Sequence, residues 1–409
     1  MFLFLPRFMV DCMMPFRILE SDSFKNFIHT INKDVYIPSR KNFVTTIKRD
    51  AILLERRMTK FFETLTYVAT TADAWSAHHR SFIGVTIHWI DRQTLQRRHG
   101  VLGCSMVTEA QTHTLIHTVL LDIYNRYNIL HKVVSTTTDN GRNFLKAFQV
   151  FGEKNEDDHL VPFEDDSDED EDEDEDEVTP VPIADVFDGE ELEDLTHLPP
   201  HRRCVVHTLN LLATADLKDV PGWSSSPPKP IFKKVQQKCV ALWNKQNRKT
   251  TVAATIKKEL GKLFTTPSVT RWNSQFDAIK QVSEALEKKI HKVNKICMDS
   301  KISPFTNIDN EILKEYILVM SPIAISLDFL QAEDKAYFGV LLPTLYFIKK
   351  ELLDIKEQGT LKYANSLMDY ILDSPSSTPT RPKGFHGRFG DLFMDKNLLA
   401  ATALHPHYK

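Results

Sequence analysis

The chain has 409 residues, enough for two or three compact domains, and its 42% hydrophobic and 10% aromatic content is that of a folded globular protein, which excludes a fibrous or wholly disordered chain. Its formal charge of −4 is misleading: thirteen of the fourteen residues from Glu164 to Glu177 are Asp or Glu, and without them the balance is +9, a modestly basic body compatible with a polyanionic partner. Five scattered cysteines (Cys12, Cys104, Cys204, Cys239 and Cys297) with no Cys-x-x-Cys pair support neither a disulfide framework nor a zinc ribbon, and point to a reducing compartment.

Met1 to Phe16 is rich in Phe and Met, but Pro6, Arg7 and Asp11 interrupt it and no basic stretch precedes it. A buried helical segment is therefore expected, not a signal peptide or a membrane span. From Phe16 to Thr64 the apolar spacing is helical (Phe24, Phe27 and Ile28, then Ile47, Ile52 and Leu53), broken at Pro38 with Ser39 as a helix start. Residues 1–66 thus read as an N-terminal helical segment.

Tyr67–Ala74, Phe82–Asp91 and Gly100–Val107 are rich in Val, Ile, Thr and aromatics and predict three strands of an antiparallel meander. His113–Tyr127 is an amphipathic helix with Leu115, Ile116, Val119, Leu120 and Ile123 on one face, followed by a strand at Val133–Thr138 and a helix over Gly141–Val150. Residues 153–197 are expected to be disordered, because the acidic block buries no apolar surface and repels itself. Order resumes at His201, with a short apolar stretch and a helix through Leu217. After a Ser/Pro-rich loop (Ser224–Pro230), helical spacing rich in Lys and Leu runs from Ile231 to Tyr370, and a second polar loop occupies Ser374–Lys383.

Three strands, a helix, a strand, a helix and a short fifth strand is the order of an RNase H-like α/β fold. Asp73 sits at the end of the first predicted strand and Asp139 at the end of the fourth. In such a sheet these strands are parallel neighbours, so both carboxylates would leave the same edge. Phosphoryl transfer by two Mg²⁺ ions needs hard oxygen ligands held around a cation pair. The plainer alternative is turn chemistry, since Asp139-Asn140-Gly141 is a turn signal.

The residues around these acids carry a resemblance. Thr71-Ala72-Asp73-Ala74-Trp75-Ser76 followed by Phe82 to Asp91 resembles the first catalytic block of hAT-superfamily DNA transposases. Thr138-Asp139-Asn140-Gly141 with Asn143, Phe144 and Ala147 resembles the second. Arg203-Cys204-Val205-Val206-His207-Thr208-Leu209-Asn210-Leu211 is similar to the Cys-x-x-His block, and Thr270-Arg271-Trp272-Asn273-Ser274 to the Arg-Trp block. Leu404–Lys409 is a blurred Leu-Asp-Pro-Arg-Tyr-Lys motif, with His405 and His407 in place of its Asp and Arg. The blocks run in family order over roughly residues 16–409, closest to the branch with BED-finger transposases and their domesticated relatives.

The resemblance implies an RNase H-like core at 67–217, a large, mainly helical insertion domain at 218–400, and the truncated start of a C-terminal region at 401–409. It implies Asp73 and Asp139 as catalytic carboxylates and Mg²⁺ ligands, with His207 beside them. Arg271, Trp272 and Cys204 are implied on the DNA side, Trp272 stacking on an unpaired base. For Cys204 and His207 two other readings stand: half of a zinc site lacking its other two ligands, or a buried Cys and a core His. For Trp272 the rival is core packing.

Two family features are expected to be missing. Residues 1–66 lack the cysteine pair of a BED finger. The chain stops before the region that holds the third catalytic acid and the dimerisation surface through which full-length relatives assemble. The reading is thus a nuclear, transposase-derived DNA-binding protein whose ancestral activity is Mg²⁺-dependent strand cleavage and transfer at transposon ends, inactive as it stands and with its Mg²⁺ lost. The rival is a non-catalytic nuclear scaffold that binds other proteins. Paired basic residues (Arg56-Arg57, Arg97-Arg98, Arg202-Arg203, Lys257-Lys258 and Lys288-Lys289) are spread along the chain as solvated faces or phosphate contacts. The acidic tract reads as a surface-loop insertion or as a histone-binding or DNA-mimicking tail.

Overall fold

The computed structural model describes residues 4–77, 80–108, 111–152, 197–222, 231–268, 272–332, 336–379 and 381–408. The acidic run and the disorder expected for it therefore lie outside the described residues, apart from His197. The described chain forms two compact units: a sheet unit of residues 4–138, 143–152 and 197–202, and a helical unit of residues 139–142 and 203–408.

The sheet unit opens with α1 (Phe4–Asp11), α2 (Asp22–Ile31) and α3 (Arg40–Phe62). Ser39 caps α3 as its sequence suggests, its Oγ accepting from the Asn42 N–H at 3.3 Å. The first helix differs from expectation. Among its described side chains only Met9 is buried, in a small core with Leu19 and Phe43, whereas Phe8, Val10 and, just beyond the helix, Met13 are exposed. Arg7 and Asp11, paired at 3.3 Å on its outer side, mark α1 as a surface helix with one buried face.

Then follow β1 (Val68–Ala77), β2 (Arg80–Ile90), β3 (Arg97–Val107), α4 (His113–Arg126), β4 (Val133–Thr138), α5 (Arg142–Phe151) and β5 (His201–Arg203). The sheet order is β3-β2-β1-β4-β5. β2 is antiparallel to β1 and β3, and β4 is parallel to β1. This order and mixture are consistent with an RNase H-like fold. Period-two alternation explains the buried face: Ile83, Val85 and Ile87 are fully buried between half-exposed neighbours and face α4, whose Ile116, Leu120 and Ile123 are equally buried. Each such side chain contributes about 1.5–3 kcal/mol. Three hydroxyls on that side satisfy one another: Thr70, Thr136 and Tyr124 share three hydrogen bonds of 2.9 Å.

The helical unit comprises α6 (Val205–Ala213), α7 (Ala215–Lys218), α8 (Ile231–Arg248), α9 (Thr250–Leu260), α10 (Trp272–Asp299), α11 (Asn307–Gln331), α12 (Phe338–Gln358), α13 (Asn365–Leu372), α14 (Gly384–Phe389) and α15 (Lys396–Leu404). The helix expected through Leu217 breaks at Thr214 (φ −125°, ψ −72°). Leu209 and Leu212 of α6 and Leu217 of α7 are buried in one core with Leu242, Ile279, Val319 and Leu345 of the later helices. The division therefore falls at Arg203, ahead of residue 217. A capping box between Thr306 and Asp309 starts α11, and Gly261 (φ +92°) ends α9 in the left-handed region. No helix of the described residues is long and apolar enough to cross a membrane.

Candidate functional site

β1 and β4 run side by side in parallel register from Val68 opposite Val133 to Ala72 opposite Thr138, and an aspartate follows in each strand. Asp73 is not a strand-end residue. β1 continues to Ala77 along β2, with Asp73 opposite Gly84, and only its pairing with β4 stops at Ala72. The extension has a packing cause. Trp75 stacks on Phe82 of β2 with ring centroids 5.7 Å apart, and it covers Gly84 so closely that a Cβ there would lie 2.8 Å from the indole. Asp73 is exposed, and its Oδ1 accepts from the Ala74 N–H at 3.0 Å.

Asp139 begins a turn. Its Oδ1 accepts from the Gly141 N–H at 3.0 Å, and a Cβ on Gly141 would stand only 3.0 Å from that oxygen, so glycine suits this close approach. Between them Asn140 is buried and donates through Nδ2 to the Thr208 Oγ1 at 3.0 Å, while Thr208 donates to the Cys204 carbonyl at 3.1 Å. The turn after β4 is thereby tied to the start of α6, which Cys204 opens as N-cap residue and which carries His207 in its first turn. Cys204 and His207 are both half-buried. Sequence spacing could not supply this tie, because it runs through Asn140 and Thr208. The Asn140 Oδ1 has no hydrogen-bond partner among the described residues.

His201 opens β5. It shares a 2.8 Å hydrogen bond with Thr138, the residue before Asp139, and its ring stacks on Phe148 at 4.4 Å and 13°. The short strand His201-Arg202-Arg203, last in the RNase H-like order, was the signal that could have found it. Arg203 follows, its guanidinium held below its ordinary pKa by burial and then by the charge of Arg388.

The structure sets Trp272 in the core of the helical unit. It is 5% exposed, lies 5.5 Å from Phe276, and its indole N–H is hydrogen-bonded to the hydroxyl of fully buried Tyr316. A base could stack on this ring only after it left the core. Arg271 lies outside the described residues.

Two Mg²⁺ ions would need a cage of fixed oxygen ligands. Among the described residues no group of three or more His, Cys, Asp or Glu side chains is placed to hold a metal ion. Asp73 and Asp139 each accept a backbone N–H through Oδ1, as metal-ligating carboxylates commonly do, so these bonds do not bear on the fit. Among the described residues this donor set is short of a two-metal cage, and Cys204 and His207 are two of the four ligands that a zinc site takes.

A family model described as "ZBED1 RNase-like domain" matches residues 71–160, from Thr71 of β1 through α5. The match points to a ZBED/hAT-related, transposase-derived protein. It takes in Asp73 and Asp139 and covers less than a quarter of the chain. No curated protein matches the chain.

Proposed function

We propose that this chain is a nuclear, transposase-derived protein that binds duplex DNA without cutting it. The observation that carries the reading is the RNase-like match over residues 71–160 on a sheet whose β1 and β4 pair in parallel up to Ala72 and Thr138, each followed by an aspartate. In the ancestral reaction, strand cleavage and transfer at transposon ends, Mg²⁺ would activate the attacking oxygen and stabilise the leaving one. Here Asp73 and Asp139 are remnants of that chemistry. Cleavage requires ligands held rigidly in place, and the described donor set does not supply them. Binding needs only cations and hydrogen-bond donors along a phosphate backbone. His207 and the backbone at the start of α6, together with Arg271, are the proposed phosphate-side groups. Trp272 is not among them, because the core holds it.

The test is fluorescence anisotropy with a labelled duplex between 50 and 200 mM salt, alongside a nicking assay with Mg²⁺ or Mn²⁺. The expected result is binding that weakens steeply with salt, equal in Asp139→Asn, and no cleavage. Failure to bind DNA would favour the protein-scaffold alternative. Metal-dependent cleavage that disappears in Asp139→Asn would show a complete metal cage.

A further inference from the structure

Seven lysines lie on the two helix segments that meet where the end of α9 packs against the second half of α10. Lys257 and Lys258 lie in the last turn of α9, and Lys262 follows its Gly261 cap. Lys288, Lys289, Lys292 and Lys295 follow along α10 around its break at Lys289 (φ −146°, ψ +38°). The two groups touch. The Lys289 Nζ donates to the Leu260 carbonyl and the Lys292 Nζ to the Glu259 carbonyl, each at 3.4 Å, and Lys292 pairs with the Glu259 carboxylate at 3.2 Å.

Those contacts give Lys289 and Lys292 a structural role, closing carbonyls that a helix end leaves open. They do not account for the other five. Lys257, Lys258, Lys262, Lys288 and Lys295 are exposed and form no salt bridge among the described residues. Glu259 is the single acid within 257–262 and 288–295. Its carboxyl is held below the usual range by the Lys292 hydrogen bond first, then by the charges of Lys292, Lys295 and Lys258. Lys258 and Lys295 act on Glu259 and Lys288 on Glu287 at a distance, but five further like charges at one helix junction still exceed these acids, and a run of phosphates would neutralise them and release counterions.

We infer that Lys257, Lys258, Lys262, Lys288 and Lys295 form a binding site for the phosphate backbone of duplex DNA, read without regard to base sequence. The site rests on the DNA-binding reading above and names the surface that performs it. Five phosphate contacts correspond to a slope of about −4 to −5 in log K against log salt.

The test compares the wild type with a variant carrying K257Q, K258Q, K262Q, K288Q and K295Q, which spares Lys289 and Lys292, and with a control carrying K233Q, K234Q, K349Q and K350Q at exposed lysines elsewhere. The five-lysine variant is expected to bind duplex DNA at least about tenfold more weakly at 100 mM salt, with a slope flatter by about 4, and the control to change less than about threefold. Equal losses in both variants would mean that affinity follows net charge, and would overturn the site. An unchanged five-lysine variant would overturn the site and leave the DNA-binding reading standing; a wild type that binds no duplex would end both. Should the variant fold poorly, acetylation footprinting of the wild type decides: DNA should protect these five lysines, and equal labelling with and without DNA would refute the assignment.

Discussion

Asp216 is fully buried, and the groups around it fix the consequence of removing it. Its Oδ2 accepts from the Gly384 N–H at 2.9 Å and the Arg388 Nε at 2.8 Å, and its Oδ1 accepts from the Arg388 Nη2. This two-pronged pair fastens α14 to α7, and α6, the helix that begins with Cys204 and carries His207, packs on both. The Arg388 side chain is 6% exposed, and its charge already bears on the half-buried Arg203. Asp216→Ala removes the carboxylate while the Arg388 guanidinium stays buried. Breaking such a pair from one side costs about 3–5 kcal/mol, most of it the desolvated cation left behind. Asp216→Asn keeps the volume and an oxygen for Gly384, so a smaller cost of about 2–3 kcal/mol is expected.

A chain of two units does not give one unfolding free energy, so the readout is hydrogen exchange resolved by peptide. At about 1.4 kcal/mol per factor of ten, protection of α6 and α14 should fall about a hundredfold to several thousandfold in Asp216→Ala. A fall below tenfold, or equal falls in the Ala and Asn variants, would refute the buried-pair argument.

Burial pushes the Tyr124 phenol above its ordinary value of about 10, so the folded state holds the neutral form while the unfolded chain ionises. Stability from this group is complete below pH 10 and is lost as pH rises toward the raised folded value. Melting curves from pH 8 to 11 should show that decline in the wild type and a shallower one in Tyr124→Phe, which near neutrality should cost about 1 kcal/mol; identical slopes would refute it. Deleting residues 164–177 takes the net charge from −4 to +9. Affinity for duplex DNA at 50 mM salt is expected to rise by about tenfold or more and to approach the wild type at high salt, and an unchanged affinity would show that the run does not act on DNA.

What could be read from the sequence was local. Val133–Thr138 is a strand to the residue, because a run of β-branched side chains leaves little choice. β1 ran three residues past its expected end because Trp75 found Phe82 across the strand pair, a contact that alternation along one strand cannot show. Trp272 stayed ambiguous for a related reason: its partner, Tyr316, lies on another helix, and a tryptophan beside an arginine looks alike whether it faces a base or a core. The tie from Asn140 to Thr208 joins two motifs through residues that belong to neither pattern's chemistry. The lysine junction was visible only as separate pairs, Lys257-Lys258 and Lys288-Lys289, until the packing of α9 on α10 brought them together.

Binding and cleavage also place unequal demands on a chain of this origin. Cleavage depends on a few ligands held to within about 0.5 Å, and losing one removes the reaction rather than a share of it. Backbone binding is spread over many exposed cations, each replaceable, with affinity falling by degrees as they are lost. Five exposed lysines at one helix junction belong to the second kind of feature, and two carboxylates with no third acidic or histidine ligand grouped with them among the described residues are a poor start for the first. We therefore propose that the two properties come apart in this chain, and the anisotropy and nicking assays test it: salt-sensitive affinity without strand cleavage is the expected outcome.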